Sequence, residues 1–166
     1  MRVYNVHERE LPASAGRVGE LLDSLASRED ALWPHHLWPR MRLDRPLGVG
    51  ARGGHGPIRY FVEDYAPGES VRVRFVGPRG FDGFHRDDII RTGEGSAVLR
   101  HTLEMTTRSR AVLTWPIVYR PLHDALIEDS FAAAETALGH LPRRRPWSPW
   151  VRLLRAAVSR GRVPLT

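Results

Sequence analysis

The feature that most constrains this chain is a change of pattern near residue 114. Between about residues 40 and 113 the sequence reads as short strands separated by turns, and from about 115 to 138 it reads as one helix. Consecutive strands joined by short turns pair as an antiparallel meander with one buried face. A curved sheet of this kind, with one late helix lying across it, can enclose a cavity.

Alternating apolar residues and turn-forming residues define the individual strands. A first strand is expected at residues 2–11, where Pro12 ends it. Within the central region the pattern predicts one strand around Leu47–Arg52, one at Ile58–Tyr65, one through Val71, Val73 and Phe75, one at Phe81–Thr92 and one at Ala97–Thr107.

Two short helices are expected between the first strand and this central region. Residues Ser14–Leu25 place apolar side chains at helical spacing, and Ser14 is a suitable N-cap. A second short helix is expected at Glu29–Leu32, ahead of the helix-breaking Pro34. The predicted order is therefore a strand, two helices, about five strands and a helix.

The late helix carries two polar residues on its apolar face. At 100° per residue its apolar side chains, Trp115 among them, cover about half of the circumference. His123 and Ser130 fall near the middle of this face, where they would be polar groups inside a cavity. Pro121 suits a first-turn position, so the helix either starts near Arg120 or is kinked there. The opposite, polar side carries Asp124, Glu128 and Glu135.

Composition indicates one ordinary folded domain. The chain has 166 residues, of which 42% are hydrophobic, and it has no cysteine, which excludes disulfides and thiolate metal sites. No run approaches the roughly 20 apolar residues that span a bilayer. The first residues, MRVYNVHERE, contain no apolar signal region. We therefore expect a cytoplasmic location.

The net charge of +6 gives little information about partners. All 25 basic residues are arginine, which is typical of codon choice in a GC-rich genome. We therefore discount the overall charge, and nucleic acid is not an expected partner.

The arginines are concentrated at the end of the chain, from Pro142 onwards. We predict a domain at 1–141 and an Arg-rich tail at 142–166. A short amphipathic helix is expected in the tail between Ser148 and Gly161. Its apolar stripe suits three surfaces: its own domain, a second copy in a homodimer, or a membrane contacted through residues 147–160.

The element order, together with four stretches of sequence, resembles the START/polyketide-cyclase superfamily, also called SRPBCC or helix-grip proteins. The stretches are ELPASAGRVGELLDSL, YFVEDYAPGESVRVRF, the GFHRDDII/LRHTLEM hairpin and WPIVYRPLHDALIEDSFAAAETAL. The resemblance covers roughly residues 2–140. It implies an α+β fold in which a curved antiparallel sheet of about six or seven strands wraps around a long C-terminal helix, with two short helices after the first strand.

The resemblance also implies a pocket for a hydrophobic small molecule such as a lipid, an aromatic compound or a polyketide-like compound. The leading hypothesis is binding of such a ligand without robust catalysis. One alternative is a polyketide cyclase or dehydratase in which pocket histidines act as acid and base. Another is an adaptor that contacts a membrane or RNA through Arg143–Arg145 and the tail.

Histidines are the main candidates for the site. His101 shares the inward face of its strand with Leu103. His85 and Asp87 share one face of their strand, but the opposite face is equally apolar, so the orientation of this face stays open. By resemblance Leu11 points inward, which would place His7 and Arg9 in the pocket. The candidates for acid–base catalysis are His101, His123 and His85. The alternative is that each histidine is hydrogen-bonded separately and only orients a ligand or satisfies the core.

The remaining candidates are aromatic. Trp33 and Trp38 would either form a gate at the pocket mouth or pack beneath the helices, while Tyr60 and Phe75 are wall or core residues. We expect no cofactor and no metal, because the glycine-rich GVGARGGHGP lacks the ending of a phosphate-binding loop and His35-His36 point in different directions. The predicted ligand-binding residues are His7, Arg9, Trp33, Trp38, Tyr60, Phe75, His85, His101, Leu103, Trp115, His123 and Ser130.

Overall fold

One antiparallel sheet of seven strands forms the larger layer of the protein. The computed structural model describes residues 1–159, and side chains up to residue 157. The spatial order of the strands is β1-β7-β6-β5-β4-β3-β2. The strands are β1 (Arg2–Leu11), β2 (Arg42–Leu43), β3 (Arg52–His55), β4 (Ile58–Ala66), β5 (Ser70–Gly77), β6 (Phe81–Arg91) and β7 (Ala97–Thr107).

The helices lie before and after the central strands. Helix α1 (Ala15–Asp23) is capped by Ser14, whose hydroxyl accepts the Arg17 backbone N–H, as predicted. The late helix begins earlier than predicted, as α2 (Ala111–Thr114), and continues through a π-helical segment (Trp115–Tyr119) into α3 (Arg120–Ala137). The change from π to α geometry falls at Arg120, where either a helix start or a kink was predicted. The tail contributes α4 (Pro149–Ser159).

The second short helix, predicted at Glu29–Leu32, is absent. These residues form a turn around the buried carboxylate of Asp30, which accepts the backbone N–H groups of Ala26 and Trp33, each at 2.8 Å. An aspartate that satisfies nearby backbone donors offers the chain an alternative to helical hydrogen bonds. The prediction was wrong because it counted apolar spacing and not this side-chain acceptor.

The strand predicted around Leu47–Arg52 was also wrong, since β3 begins only at Arg52 and the residues before it form turns. Its partner β2 is very short and approaches closely at Gly53, where a Cβ atom would lie 1.9 Å from the carbonyl oxygen of Arg42. Glycine is therefore required for this edge of the sheet. The strands predicted from residue 58 onwards are confirmed within one or two residues.

The concave face of the sheet packs against α1 and α3. The larger core cluster includes Leu11, Leu22, Val62, Leu99 and Phe131, which are all at most 1% exposed. A second cluster fills the other end of the sheet, beneath α2 and the π-helical segment. None of the described helices combines the length and apolarity needed to cross a membrane.

The tail folds back onto its own domain, which was one of the three predicted surfaces. The hydroxyl of Ser148 accepts the Val151 N–H at 3.2 Å, as expected for the N-cap of α4. Val151 and Leu154 are buried, and the Trp150 indole donates to the Ile117 carbonyl at 2.8 Å. The predicted helix stop at Gly161 lies outside the described residues. The domain boundary, membrane or RNA contact, and dimerisation stay predictions.

Candidate functional site

A cavity of about 140 Å³ lies between the concave sheet, α3 and the loop that follows α1. Its wall is mostly apolar because strands and helix each turn their hydrophobic face inward. Apolar wall residues are Leu25, Leu32, Trp33, Trp38, Met41, Val71, Val73, Phe75, Phe81, Leu99, Leu103, Trp115, Leu122, Leu126, Ile127 and Phe131.

Four histidines interrupt this apolar wall. His55 comes from the end of β3, His85 from β6, His101 from β7 and His123 from α3. Neighbouring rings are close, since the centroid of His101 lies 5.3 Å from that of His85 and 5.1 Å from that of His123. We call these four residues the cavity imidazoles.

The open question about β6 is answered by the residues that line the cavity. His85 and Asp87 face inward, while Phe84 lies on the other face beneath the guanidinium of Arg72. Asp87 is directly opposite His101 in the β6–β7 pairing. Because alternate residues of a strand share a face, His85, Asp87 and His101 project into the cavity from adjacent positions.

A chain of hydrogen-bonding contacts runs from this hairpin into the helix. Asp87 Oδ1 lies 2.8 Å from His101 Nδ1, and His101 Nε2 lies 3.1 Å from His123 Nε2. His123 Nδ1 in turn lies 3.3 Å from Asp124 Oδ1. The two buried imidazoles are therefore held in fixed orientations between two carboxylates.

Burial keeps three of the cavity imidazoles uncharged at neutral pH. It lowers the pKa of His55 to about 3 and the pKa of His85 well below the usual value. Burial also lowers the pKa of His123 to about 4, although its hydrogen bond to Asp124 acts in the opposite direction. A neutral imidazole has one donor and one acceptor nitrogen, so each ring can bind either kind of polar group.

His7 and Arg9 do not reach the cavity, so their predicted placement was wrong. Both lie on the inward face of β1, as predicted, but α3 covers that part of the sheet and separates them from the cavity. His7 contacts Asp124 at 3.2 Å and Glu128 at 3.1 Å. We call the charged residues between β1, α3 and the tail the ionic layer: His7, Arg9, Asp124, Glu128, Glu135, Arg143 and Arg145.

Charges in the ionic layer are stabilised by their partners. Burial opposes the charge of His7, but hydrogen bonds to Asp124 and Glu128 together raise its pKa above the usual value. Glu135, predicted on the polar side of α3, is only 1% exposed. Burial would raise the pKa of its carboxyl, but the Arg143 backbone N–H and the Arg9 and Arg143 guanidinium groups lower it overall.

The two predicted tryptophans are buried parts of the cavity wall. Trp33 donates to the Pro39 carbonyl at 3.0 Å, and Trp38 donates to the carboxylate of Asp129 at 2.8 Å. Arg155 of α4 lies over the Trp38 ring, 4.5 Å from its centroid, and itself lines the cavity. The tail therefore helps to close this side of the cavity.

Phe75, Leu103, Trp115 and Ser130 line the cavity, as do the predicted tryptophans and the three candidate catalytic histidines. Tyr60 does not; it is 1% exposed and lies behind the wall, with its hydroxyl 3.2 Å from His55 Nδ1. Whether any lining residue binds a ligand stays a prediction.

Sequence comparison finds no match to a protein-family profile or to a curated protein. Comparison of folds finds norcoclaurine synthase from Thalictrum flavum, in complex with dopamine and hydroxybenzaldehyde, with a TM-score of 0.63 and 18% identity over 86% of this chain and 90% of that one. A Thermobifida fusca protein gives 0.60 and 12%, covering 86% and 99%. A conserved Enterococcus faecalis protein of unknown function gives 0.57 and 14%, covering 96% and 84%.

The chain has the helix-grip fold. The predicted resemblance is thereby confirmed at the level of architecture, and identities below 20% extend it no further. The helix-grip arrangement explains why the cavity lies between α3 and β5–β7, where the sheet curves away from the helix.

Sequence reasoning missed two polar residues of this helix-grip cavity, His55 and Arg155. His55 lies in the glycine-rich segment GVGARGGHGP, and Arg155 lies in the predicted tail. Asp87 was predicted to share a strand face with His85, but the sequence left the direction of that face open.

Among the described residues, two groups of donor atoms could hold a metal ion. One is His85, Asp87 and His101 at the cavity, and the other is His7, His123 and Asp124 at the inner edge of the ionic layer. In each group the donor atoms lie within 4.8 Å of one another. The cavity group can alternatively act in proton transfer, because a carboxylate hydrogen-bonded to an imidazole orients that ring and stabilises its protonated form.

Proposed function

We propose that this protein binds a small, largely apolar molecule of about one aromatic ring in its cavity. The observation that carries the proposal is an apolar wall around about 140 Å³, interrupted by a few converging polar groups. An engineered apolar cavity of about 150 Å³ in another protein holds one benzene molecule. A guest of that size is favoured over the long-chain lipids that the sequence also allowed.

The polar groups indicate that the guest carries a hydroxyl or carbonyl group. His101 is 3% exposed and Ser130 is 8% exposed, so a polar atom of the guest would meet them away from bulk water. A hydrogen bond in such a setting fixes orientation and discriminates against guests that lack the group. The neighbour norcoclaurine synthase was solved with dopamine and hydroxybenzaldehyde, which are also one-ring compounds with polar substituents.

Phenol and benzene are suitable probes for this proposal. We expect calorimetry and NMR titration of the full chain to show saturable phenol binding, with weaker benzene binding. Ser130→Phe should abolish phenol binding because the new ring occupies the cavity. Ser130→Ala, the matched control, should retain most of it. Binding that is absent from the parent protein, or equal in the two variants, would contradict the proposal.

Acid–base catalysis is a second candidate, favoured by the contact of 2.8 Å between Asp87 and His101 at the cavity wall. A carboxylate at Nδ1 orients the imidazole so that Nε2 can exchange a proton with His123, whose Nε2 lies 3.1 Å away. Cyclisation and dehydration of carbonyl compounds both require proton transfer at a carbon next to the carbonyl. His101 would carry this proton and Asp87 would position the ring.

Acetophenone in deuterated water tests this second candidate, since it has one ring and exchangeable hydrogens beside its carbonyl. Exchange of those hydrogens, followed by NMR, should be at least ten times faster with the parent protein than with His101→Gln. Acetophenone affinity should change little, because the wall is otherwise intact. Exchange no faster than in buffer would leave binding as the better description.

A further inference from the structure

The hydrogen-bonding chain at the cavity lacks one hydrogen. It contains three contacts, Asp87 to His101, His101 to His123, and His123 to Asp124. Each contact between these groups requires one hydrogen, and two neutral imidazoles supply only two. One additional proton, or a metal ion in its place, is needed to complete the chain.

The tautomers of the two rings decide which of the three contacts lacks its hydrogen. When His123 Nδ1 donates to the ionised Asp124, its Nε2 accepts a hydrogen from His101 Nε2. His101 Nδ1 is then a bare acceptor that faces Asp87 Oδ1 at 2.8 Å. Two acceptors in contact repel each other unless a cation lies between them.

A third donor residue converges on the same point. His85 is two residues from Asp87 on β6, and its imidazole completes the group whose donor atoms lie within 4.8 Å of one another. Among the described residues, Nδ1 of His85 is buried and has no hydrogen-bond partner, so its desolvation is uncompensated. Coordination of an ion by this nitrogen would compensate it.

We propose that His85, Asp87 and His101 bind one divalent transition-metal ion at the cavity wall. This goes beyond the proposed binding of an organic guest and does not depend on it. Two imidazoles and one carboxylate are donors that suit iron, cobalt, nickel or zinc better than calcium or magnesium. All three ligands come from the β6–β7 hairpin, which is a rigid support for a site.

The spacing of the donors favours six-coordinate ions over tetrahedral zinc. Two ligand atoms that are 2.8 Å apart, and about 2.1 Å from one ion, subtend about 85° at it. Tetrahedral ligands would be about 3.4 Å apart at the same bond length. An angle near 90° is that of neighbouring ligands in an octahedron, so Fe²⁺, Co²⁺ and Ni²⁺ are the better candidates.

The surroundings of the site also suit a metal ion. Ligating histidines usually donate their second ring nitrogen to a fixed partner, and His101 has His123 in that position, held in turn by Asp124. Three protein ligands leave up to three positions of an octahedral ion free. These positions face the cavity, where water or a guest with an oxygen donor would coordinate.

Metal titration of the full chain tests the proposal. After treatment with a chelator and buffer exchange, we expect calorimetry to show one equivalent of Co²⁺ or Ni²⁺ bound and no response to Mg²⁺. X-ray absorption of the Ni²⁺ form should report six nitrogen or oxygen ligands, a result that needs no variant. The absence of stoichiometric binding would overturn the proposal and indicate that a proton completes the chain.

Variants locate the ion. Asp87→Asn and His85→Gln should each weaken Co²⁺ binding at least a hundredfold. His7→Gln, which removes a donor of the other candidate group, and His35→Gln/His36→Gln, an exposed pair, should leave it unchanged. Binding that is lost in either control and retained in Asp87→Asn would overturn the assignment. Phenol binding by the same samples shows separately whether the cavity is intact.

Discussion

Histidines on the two sides of α3 have pKa values that are shifted in opposite directions. On the β1 side, two carboxylates raise the pKa of His7 above its usual value, although the residue is largely buried. On the cavity side, burial lowers the pKa of His55 to about 3 and of His123 to about 4. The same residue type therefore has a raised pKa on one side of the helix and a lowered pKa on the other.

His7 is less deeply buried than His55 and His123, and it also has more carboxylate partners. His7 contacts two carboxylates, and Arg9 beside it contacts Glu128 at 2.8 Å and Glu135 at 2.9 Å. His55 has a tyrosine hydroxyl and a tryptophan ring as neighbours, so nothing near it stabilises a positive charge. The ionic layer joins β1, α3 and the tail, while the cavity wall carries neutral imidazoles.

The largest expected effect is the fall in stability that follows removal of a buried charge from the ionic layer. Glu135→Gln removes the carboxylate that accepts from Arg9 and from both the backbone and side chain of Arg143, leaving buried positive charge less compensated. We expect the free energy of unfolding to fall by about 3 kcal/mol, measured by urea denaturation at pH 7. The exposed Glu104→Gln should change it by less than about 0.5 kcal/mol. Equal effects of the two changes would contradict a structural role for the layer.

Most of the helix-grip fold could be predicted because its signals are local. Strand alternation from residue 58 onwards, the Ser14 cap and the stop at Gly139, whose φ is +84°, depend on neighbours within a few residues. The face of β1 was also predictable, since Asn5, His7, Arg9 and Leu11 do share the inward side. The path of α3 determines which residues cover that face, and local sequence patterns do not predict this path.

The residues of the cavity and the ionic layer also show which contacts local sequence patterns cannot predict. His101, His123 and Ser130 were found because they interrupt apolar periodicity, whereas the sequence could not decide whether the strand face of Asp87 points inward. Glu135 was assigned to the polar side of α3, but its partners Arg9 and Arg143 lie 126 residues before it and 8 residues after it in the chain. Ion pairs across the fold bury charged residues that periodicity alone assigns to solvent.

The second prediction concerns acid destabilisation by the cavity imidazoles. The folded-state pKa of His55, about 3, lies below its unfolded value near 6.5, so the unfolded state binds the proton more readily. The stability that depends on neutral His55 is complete above about pH 6.5 and decreases as the pH falls towards 3. Between pH 7 and pH 5 we expect this residue alone to account for a loss of about 2 kcal/mol.

His55→Phe checks this pH dependence. The variant should show a smaller fall in unfolding free energy between pH 7 and pH 5, whatever its absolute stability, because the titrating group is gone. Measurements above pH 5 keep the carboxylates ionised and separate their effect from that of the imidazole. An unchanged slope would mean that His55 is not held neutral.

The third prediction concerns His7, whose contribution to stability should change with pH in the opposite direction to that of His55. The folded-state pKa of His7 is raised, so its stabilisation is complete below about pH 6.5 and is lost as the pH rises through the folded value. His7→Gln should therefore cost about 1 kcal/mol at pH 5.5 and clearly less at pH 9, measured by denaturation at both values. A cost that grows with pH would show that His7 acts as a neutral donor.

The prediction with the smallest expected effect compares a buried and an exposed arginine of the ionic layer that contact the same carboxylate oxygen. Arg9 and Arg145 both contact Oε2 of Glu128, at 2.8 Å and 3.2 Å, but the Arg9 side chain is 9% exposed and that of Arg145 is 74% exposed. Solvent screens the exposed pair, so Arg145→Ala should lower the free energy of unfolding by less than about 0.5 kcal/mol. Arg9→Ala leaves Glu128 and the buried Glu135 each short of a partner and should cost several times more. Because the acceptor oxygen is the same, similar losses would show that the carboxylate, and not burial of the cation, determines the strength of the layer.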